Sequence, residues 1–263
     1  MLPSVKCHGI VVRYANYKEY DRMLTVLSPE LGRVEVIARG CRRQKSRLAV
    51  VGQPFVCGEF TLSVSGERRS VTGFEMQDSF YPLREDLDRL SYAAYLSVMA
   101  AEAVQSGQNA KEEYRLLLQA LSFLAYSDVP VQNIALIFTV RLLTLIGYRI
   151  ETERCVRCGA VPGPEGEIAF DAENGGILCP HCARIAAGAI PASRGTLSTI
   201  ALIGKTDPGR MQTLRISPSI RGELIGMLRK FTAKRMHRVD RIARFIEQME
   251  QGSMKMPEIS ERY

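Results

Sequence analysis

The chain has 263 residues, 46% of them hydrophobic and 24% charged. That composition excludes a disordered chain, and the length leaves room for two or three compact units, each with its own core. Lys and Arg number 35 against 28 Asp and Glu, a formal charge of +7 that makes a polyanion an expected partner.

Residues Met1–Val12 place Lys6, His8 and Gly9 where a secretion signal would carry an apolar stretch, so a cytoplasmic chain is expected. In that reducing compartment the seven cysteines point to metal ligands or free thiols rather than disulfides. From Val5 to about Tyr81 the pattern predicts short strands at Gly9–Tyr14, Met23–Leu27, Arg33–Arg39, Pro54–Ser65 and Ser70–Phe74. The third nearly alternates, with Val34, Val36 and Ala38 on one face and Arg33, Glu35 and Arg39 on the other. Ser28-Pro29-Glu30-Leu31-Gly32 and Ser65-Gly66-Glu67 supply turns. About five strands in some 80 residues fit a small barrel, an OB-fold or an SH3-like one.

After Pro82 the spacing becomes helical. Leu87–Gln105 is expected to bury Leu90, Ala94, Val98 and Ala101, and Asn109 with Glu112 makes a capping box before a helix over Tyr114–Tyr126. A third helix is expected at Val131–Ile146, between Pro130 and Gly147. Its apolar run from Ile134 is broken by Arg141 and is shorter than the roughly 20 residues of a membrane span, so no membrane partner is expected. Helical sequence returns after residue 188. Ser217-Pro218 opens a helix whose apolar stripe would hold Ile225, Leu228, Phe231, Val239, Ile242 and Ile246, with a break near Met236. The expected division is therefore residues 1–80, a barrel; 81–150, helical; 151–188, an insert with four of the cysteines; 189–250, the helical return; and 251–263, a tail.

The strongest chemical signal is Cys155-Val156-Arg157-Cys158, followed after twenty residues by Cys179-Pro180-His181-Cys182. Two thiolates two residues apart reach one ion from a tight turn, and a second such turn completes a tetrahedron, so one structural Zn2+ per chain is expected on Cys155, Cys158, Cys179 and Cys182. A shell of four cysteines leaves no open position for catalysis. The Pro-Cys-x-x-Cys of nucleobase deaminases does not fit either: Leu178 precedes Cys179, and no His-x-Glu occurs. Three histidines, His8, His181 and His237, with no phosphate-cradling GxxxxGK[ST] loop and no nucleophile motif, give no catalytic residues and no small-molecule substrate.

Two basic stretches remain. Arg39-Gly40-Cys41-Arg42-Arg43-Gln44-Lys45-Ser46-Arg47 holds five cations and no acid, a loop suited to phosphates. Farther on, Lys230, Lys234, Arg238 and Arg241 fall on one side of the last helix, within a run that also holds Arg221, Arg229, Arg235 and Arg244. Among the aromatics of the expected barrel, Tyr14, Tyr17, Tyr20, Phe60, Phe74, Phe80 and Tyr81, several must be core, and Tyr17 and Tyr20 are the better candidates for exposed base stacking.

The order of these features resembles the RecO family of bacterial DNA repair and recombination proteins. The resemblance is carried by Tyr17-Lys18-Glu19-Tyr20-Asp21-Arg22 to Leu27, Pro29-Glu30-Leu31-Gly32-Arg33, Ala38-Arg39-Gly40-Cys41-Arg42-Arg43, Ser46-Arg47-Leu48 and the two cysteine pairs. It implies an α+β multidomain chain, with an N-terminal OB-fold β-barrel followed by a helical bundle domain that carries an inserted four-cysteine zinc ribbon. It also implies single-stranded DNA binding, with duplex DNA as a further ligand, annealing of complementary strands, and cooperation with RecR and the single-strand binding protein SSB in loading recombinase. Arg39, Arg42, Arg43, Lys45 and Arg47 are then the first DNA contacts, with Lys230, Lys234, Arg238 and Arg241 as a second tier. The acidic C-terminal tail of SSB would suit a groove of the helical domain rimmed by Arg141. The competing reading is a zinc-ribbon scaffold whose basic surfaces bind RNA or acidic protein tails.

Overall fold

The computed structural model describes residues 3–164 and 166–236, which form two compact units. The first holds the described residues up to Tyr126; the second opens at Ser127 and holds those to Met236.

Five strands build the first unit: β1 (Ser4–Tyr17), β2 (Asp21–Ser28), β3 (Gly32–Ala38), β4 (Cys57–Ser65) and β5 (Arg68–Asp78). They close in the order β1-β2-β3-β5-β4, every pairing antiparallel except β3 with β5. This Greek-key closure is that of the OB-fold among the two barrels expected. β3 alternates as its sequence dictates, Val34, Val36 and Ala38 buried and Glu35 exposed. With Leu24, Val26, Phe60, Leu62 and Val71 they fill the barrel. The strands extend beyond the expected bounds at several ends, and β4 begins only at Cys57, after Phe55 takes a left-handed backbone, φ +68°, that an extended strand does not admit.

Two helices, α1 (Leu87–Ala103) and α2 (Lys111–Tyr126), complete this unit. Asp86 caps α1 by accepting from the Arg89 N–H at 2.9 Å. The face expected for α1 is wrong: Tyr92, Ala93, Leu96, Met99 and Ala100 are buried, whereas Leu90, Ala94, Val98 and Ala101 are half-buried. Apolar residues surround this helix, so spacing alone does not select a face. The Asn109–Glu112 box does not form. Asn109 Oδ1 accepts from Lys111 N at 3.3 Å, and Glu112 turns to Arg115 at 2.8 Å, one turn along the exposed surface.

In the second unit α3 (Val131–Leu145) ends in a Schellman motif. Tyr148 N donates to Leu143 O at 2.7 Å and Gly147 N to Thr144 O at 3.2 Å, a geometry that needs the left-handed backbone Gly147 supplies, φ +88°. Three short strands follow, β6 (Ile168–Asp171), β7 (Gly176–Leu178) and β8 (Ile190–Ala192), in the order β7-β6-β8, with α4 (Pro180–Ile185) between the last two. α5 (Arg194–Lys205) and α6 (Pro218–Ala233) pack with α3.

Ser217 caps α6 as its sequence predicts, accepting from Ile220 N at 3.4 Å. The buried stripe of α6 is Leu224, Met227, Leu228 and Phe231; Ile225, expected in it, is exposed, because the face turned to α3 is one position earlier. The helix ends at Ala233, near the break expected at Met236. Val239, Ile242 and Ile246 lie outside the described residues, as does the stretch 251–263 expected as a tail.

Glu223 ties α6 to the start of α5. Its carboxylate accepts from Thr196 Oγ1 at 2.7 Å and from Ser193 N at 2.9 Å, and these bonds outweigh its partial burial and hold its pKa below the usual carboxylate value. A depressed folded-state pKa contributes stability above the unfolded value of about 4.3 that is lost as pH falls through the folded one. Glu223→Gln, which keeps the shape and removes the charge, is expected to cost about 1–2 kcal/mol at neutral pH. Urea unfolding at descending pH checks it: the gap between variant and parent closes once the parent carboxyl is protonated.

Candidate nucleic-acid interface and metal centre

β3 ends at Ala38 and β4 begins at Cys57, and the chain between them is a series of turns. Gly40 N donates to Asp21 Oδ1 at 2.7 Å and Arg42 N to Tyr20 O at 3.0 Å, which fasten the loop to the tip of the β1–β2 hairpin. Cys41, Val51 and Phe55 turn inward and are buried. With these residues as anchors, Arg39, Arg42, Arg43, Lys45 and Arg47 all remain exposed, and none forms an ion pair among the described residues. The hairpin adds Arg22, Lys18 and three tyrosines. Tyr14 and Tyr17 are each 40% exposed and Tyr20 is 41% exposed, whereas Phe60 and Phe80 are core. Tyr14 and Arg22 were not singled out from sequence, because β-strand alternation on a curled hairpin does not say which ring leaves the barrel.

The second basic tier is divided. Lys230 and Lys234 are exposed at the end of α6, with Lys234 3.6 Å from Glu173, and Arg238 and Arg241 lie outside the described residues. Arg235 is structural: its guanidinium lies 3.8 Å from the Phe231 ring centre and donates to Ala172 O and Glu173 O at 2.9 and 2.8 Å. Arg221 reaches Asn133 Oδ1 at 3.4 Å. Arg141, on α3, is half-buried, with Nη1 donating to Gly204 O at 2.6 Å and its Nε–H without a hydrogen-bond partner among the described residues.

The four cysteines of the two knuckles meet at one point, their sulfurs all within 4.8 Å of one another. Cys155, Cys179 and Cys182 are buried and Cys158 is exposed. Each knuckle is a tight turn: Gly159 N donates to Cys155 O at 2.8 Å, and Ala183 N donates to Cys179 O at 2.9 Å. The β6–β7 hairpin supports both. Asp171, at its corner, accepts from Glu173 N at 3.0 Å, Asn174 N at 3.1 Å and Asn174 Nδ2 at 2.9 Å, and lies 3.5 Å from Arg157 of the first knuckle. Burial would raise its pKa, but these donors prevail and hold it below the usual carboxylate value. The first knuckle lies so close that a Cβ on Gly176 would stand 2.8 Å from Glu151 Cβ and closer still to Val156, so this position must be glycine. Asp171 was not singled out from sequence, because its role depends on donors that the hairpin corner brings to it.

The donor set fits a tetrahedral ion. Sulfurs 2.3 Å from a zinc sit about 3.8 Å apart, and Cys158 Sγ and Cys179 Sγ are separated by 3.8 Å. Burial alone would raise the Cys155 thiol, yet backbone hydrogen bonds from Cys179, Cys158 and Arg157 bring it down to about 6. Burial and the three surrounding sulfurs push Cys182 up to about 12. A cation at the centre of four sulfurs this close together would stabilise their thiolate forms. His181, on the second knuckle, is exposed and outside this set, as its place within a complete knuckle predicts.

Models of two parts of one family match the chain: "Recombination protein O N terminal" over residues 1–80 and "Recombination protein O C terminal" over residues 84–240. The chain belongs to the RecO family. Curated relatives named "DNA repair protein RecO" include that of Alkaliphilus metalliredigens, 29% identical over 90% of this chain and 95% of that protein. Those of Symbiobacterium thermophilum and Moorella thermoacetica are each 31% identical, over 88% and 93% of this chain and 91% of each relative. The relatives are bacterial, and membership places this RecO chain among non-enzymatic recombination mediators with a role in DNA repair. No helix of the described residues is long and apolar enough to cross a membrane.

Proposed function

We propose that the chain binds single-stranded DNA on the loop that closes one end of the barrel, anneals complementary strands, and with RecR helps load recombinase onto SSB-coated DNA. The observation that carries this reading is the loop of Arg39, Arg42, Arg43, Lys45 and Arg47: five exposed cations, held by buried anchors and in no ion pair among the described residues. Such a surface neutralises phosphates and releases counterions without reading sequence. Annealing needs no hydrolysis; it needs two polyanions brought together with their bases accessible. Duplex DNA would bind the same cations through its backbone.

Lys230 and Lys234 form the second tier, and Arg238 and Arg241, outside the described residues, are proposed to extend it. The acidic SSB tail is proposed to dock beside Arg141, one arm of whose guanidinium is held by Gly204 O. One Zn2+ per chain is proposed on Cys155, Cys158, Cys179 and Cys182, where it would cross-link the knuckles and present no open coordination position. The proposed division of labour follows the sequence: DNA contacts from residues 1–80, helical support from 81–150 and 189–250, and metal-held structure from 151–188. A cytoplasmic chain acting at the nucleoid suits these partners. The salt dependence of binding to single-stranded DNA, compared between the parent and a loop variant with Arg42, Arg43 and Lys45 all replaced by alanine, tests the reading.

A further inference from the structure

On the hairpin tip beside the basic loop, three exposed tyrosines each carry a cation against the ring. Arg22 lies 4.1 Å from the ring centre of Tyr14, Arg43 lies 5.2 Å from that of Tyr20, and Lys18 lies 5.5 Å from that of Tyr17. None of the three phenol hydroxyls has a hydrogen-bond partner among the described residues, so no hydrogen bond of the fold accounts for their placement. Tyrosines in a barrel wall ordinarily cover core with the ring and satisfy the hydroxyl at its edge. These leave about two-fifths of each residue in solvent and contribute little to the core.

We propose that Tyr14, Tyr17 and Tyr20 are stacking platforms for unpaired bases and make this face select single-stranded over duplex DNA. The inference rests on the reading of the loop as a DNA interface and adds its ligand specificity. A ring that carries a cation on one face can offer its other face to a base; Lys18 and Arg43, both exposed, sit within reach of the phosphates flanking that base, whereas Arg22 is held by Gly52 O and by Asn16 Oδ1 at 3.4 Å and positions its ring. Duplex DNA cannot use the platforms, because its bases are already stacked on one another. It can meet only the cations. Tyr20 and Arg43 form one unit with the loop, since the Tyr20 carbonyl also accepts from Arg42 N at 3.0 Å. Ring and phosphate contacts would therefore be set at fixed separation.

The test uses the full chain with oligothymidylate and with a duplex of matched length. Tyr14→Ala, Tyr17→Ala and Tyr20→Ala are each expected to weaken single-strand binding at least about fivefold, to leave duplex binding and the salt slope unchanged, and to be rescued by the corresponding Phe. The chain has no tryptophan, so Tyr20→Trp introduces a sole indole whose fluorescence a stacked thymine quenches, a readout that needs no change in affinity. Equal losses on both DNAs, failure of Phe to rescue, or an unquenched Tyr20→Trp overturns the proposal. The loop variant distinguishes the two levels. If it loses affinity for both DNAs while the tyrosine variants lose none, the interface stands and the platforms do not; if it loses none, the interface itself is wrong.

Discussion

Replacing Arg42, Arg43 and Lys45 together with alanine is expected to weaken binding to single-stranded DNA on the order of a hundredfold at moderate salt. It should also lower the slope of log affinity against log salt by about 2 units. Each phosphate contact on a single strand releases counterions worth about 0.7 of slope, so three lost contacts set the second figure. The substitutions should not disturb the fold, because all three side chains are exposed and form no ion pair among the described residues; the loop is held by the Cys41, Val51 and Phe55 anchors and by the backbone bonds to Asp21 and Tyr20. An unchanged melting temperature beside a changed salt slope is the signature to measure. A loss of affinity with the slope intact would mean that the cations act on the loop's shape and not on phosphates.

The second large effect concerns the knuckles. Cys155→Ser, or chelation of the parent, is expected to take bound zinc from one equivalent to none and to lower the melting temperature by about 10 °C or more. Structural zinc in small domains supplies roughly 10–16 kcal/mol of apparent binding energy, which is folding energy where the ligands come together only in the fold. Here the apolar support is thin: Ala169, Leu178 and the cysteines themselves make up most of the small core around the site. Without an ion the four sulfurs, within 4.8 Å of one another, have only each other and a few N–H groups to satisfy them. Metal analysis of the purified chain, followed by thermal unfolding of Cys155→Ser, checks this. Zinc-free protein that melts with the variant would remove the metal from the account.

The two predictions separate cleanly because the residues lie in different compact units. The loop variant should keep the proposed zinc, and the cysteine variant should retain the barrel residues proposed to meet DNA.

What was legible in the sequence follows a physical rule. Features set by local chemistry came through: the two CxxC knuckles, the alternation of β3, the Ser217-Pro218 start of α6, the Gly147 end of α3, and the cation-rich loop after Ala38. Each is fixed by residues within one turn of one another. Features decided by tertiary packing did not. α1 is apolar on all sides, so its buried face was chosen by what it packs against. Glu112 had a choice between Asn109 and Arg115 and took the partner one turn along the helix. Arg235 reads as one more cation of a basic run, yet its guanidinium is spent on Phe231 and on two carbonyls of the β6–β7 corner. The exposure of Tyr14 and its contact with Arg22 depend on the curl of the hairpin, which periodicity does not encode. Family membership carried the repair role, which no single motif of the chain states.

Strand annealing tests the central claim most directly. Complementary oligonucleotides coated with SSB are mixed with the parent chain or with the Arg42, Arg43 and Lys45 alanine variant, and duplex formation is followed by fluorescence transfer. The account predicts rapid annealing by the parent and its loss in the variant, with zinc content and melting temperature unchanged. Annealing by the variant at the parent's rate would contradict it.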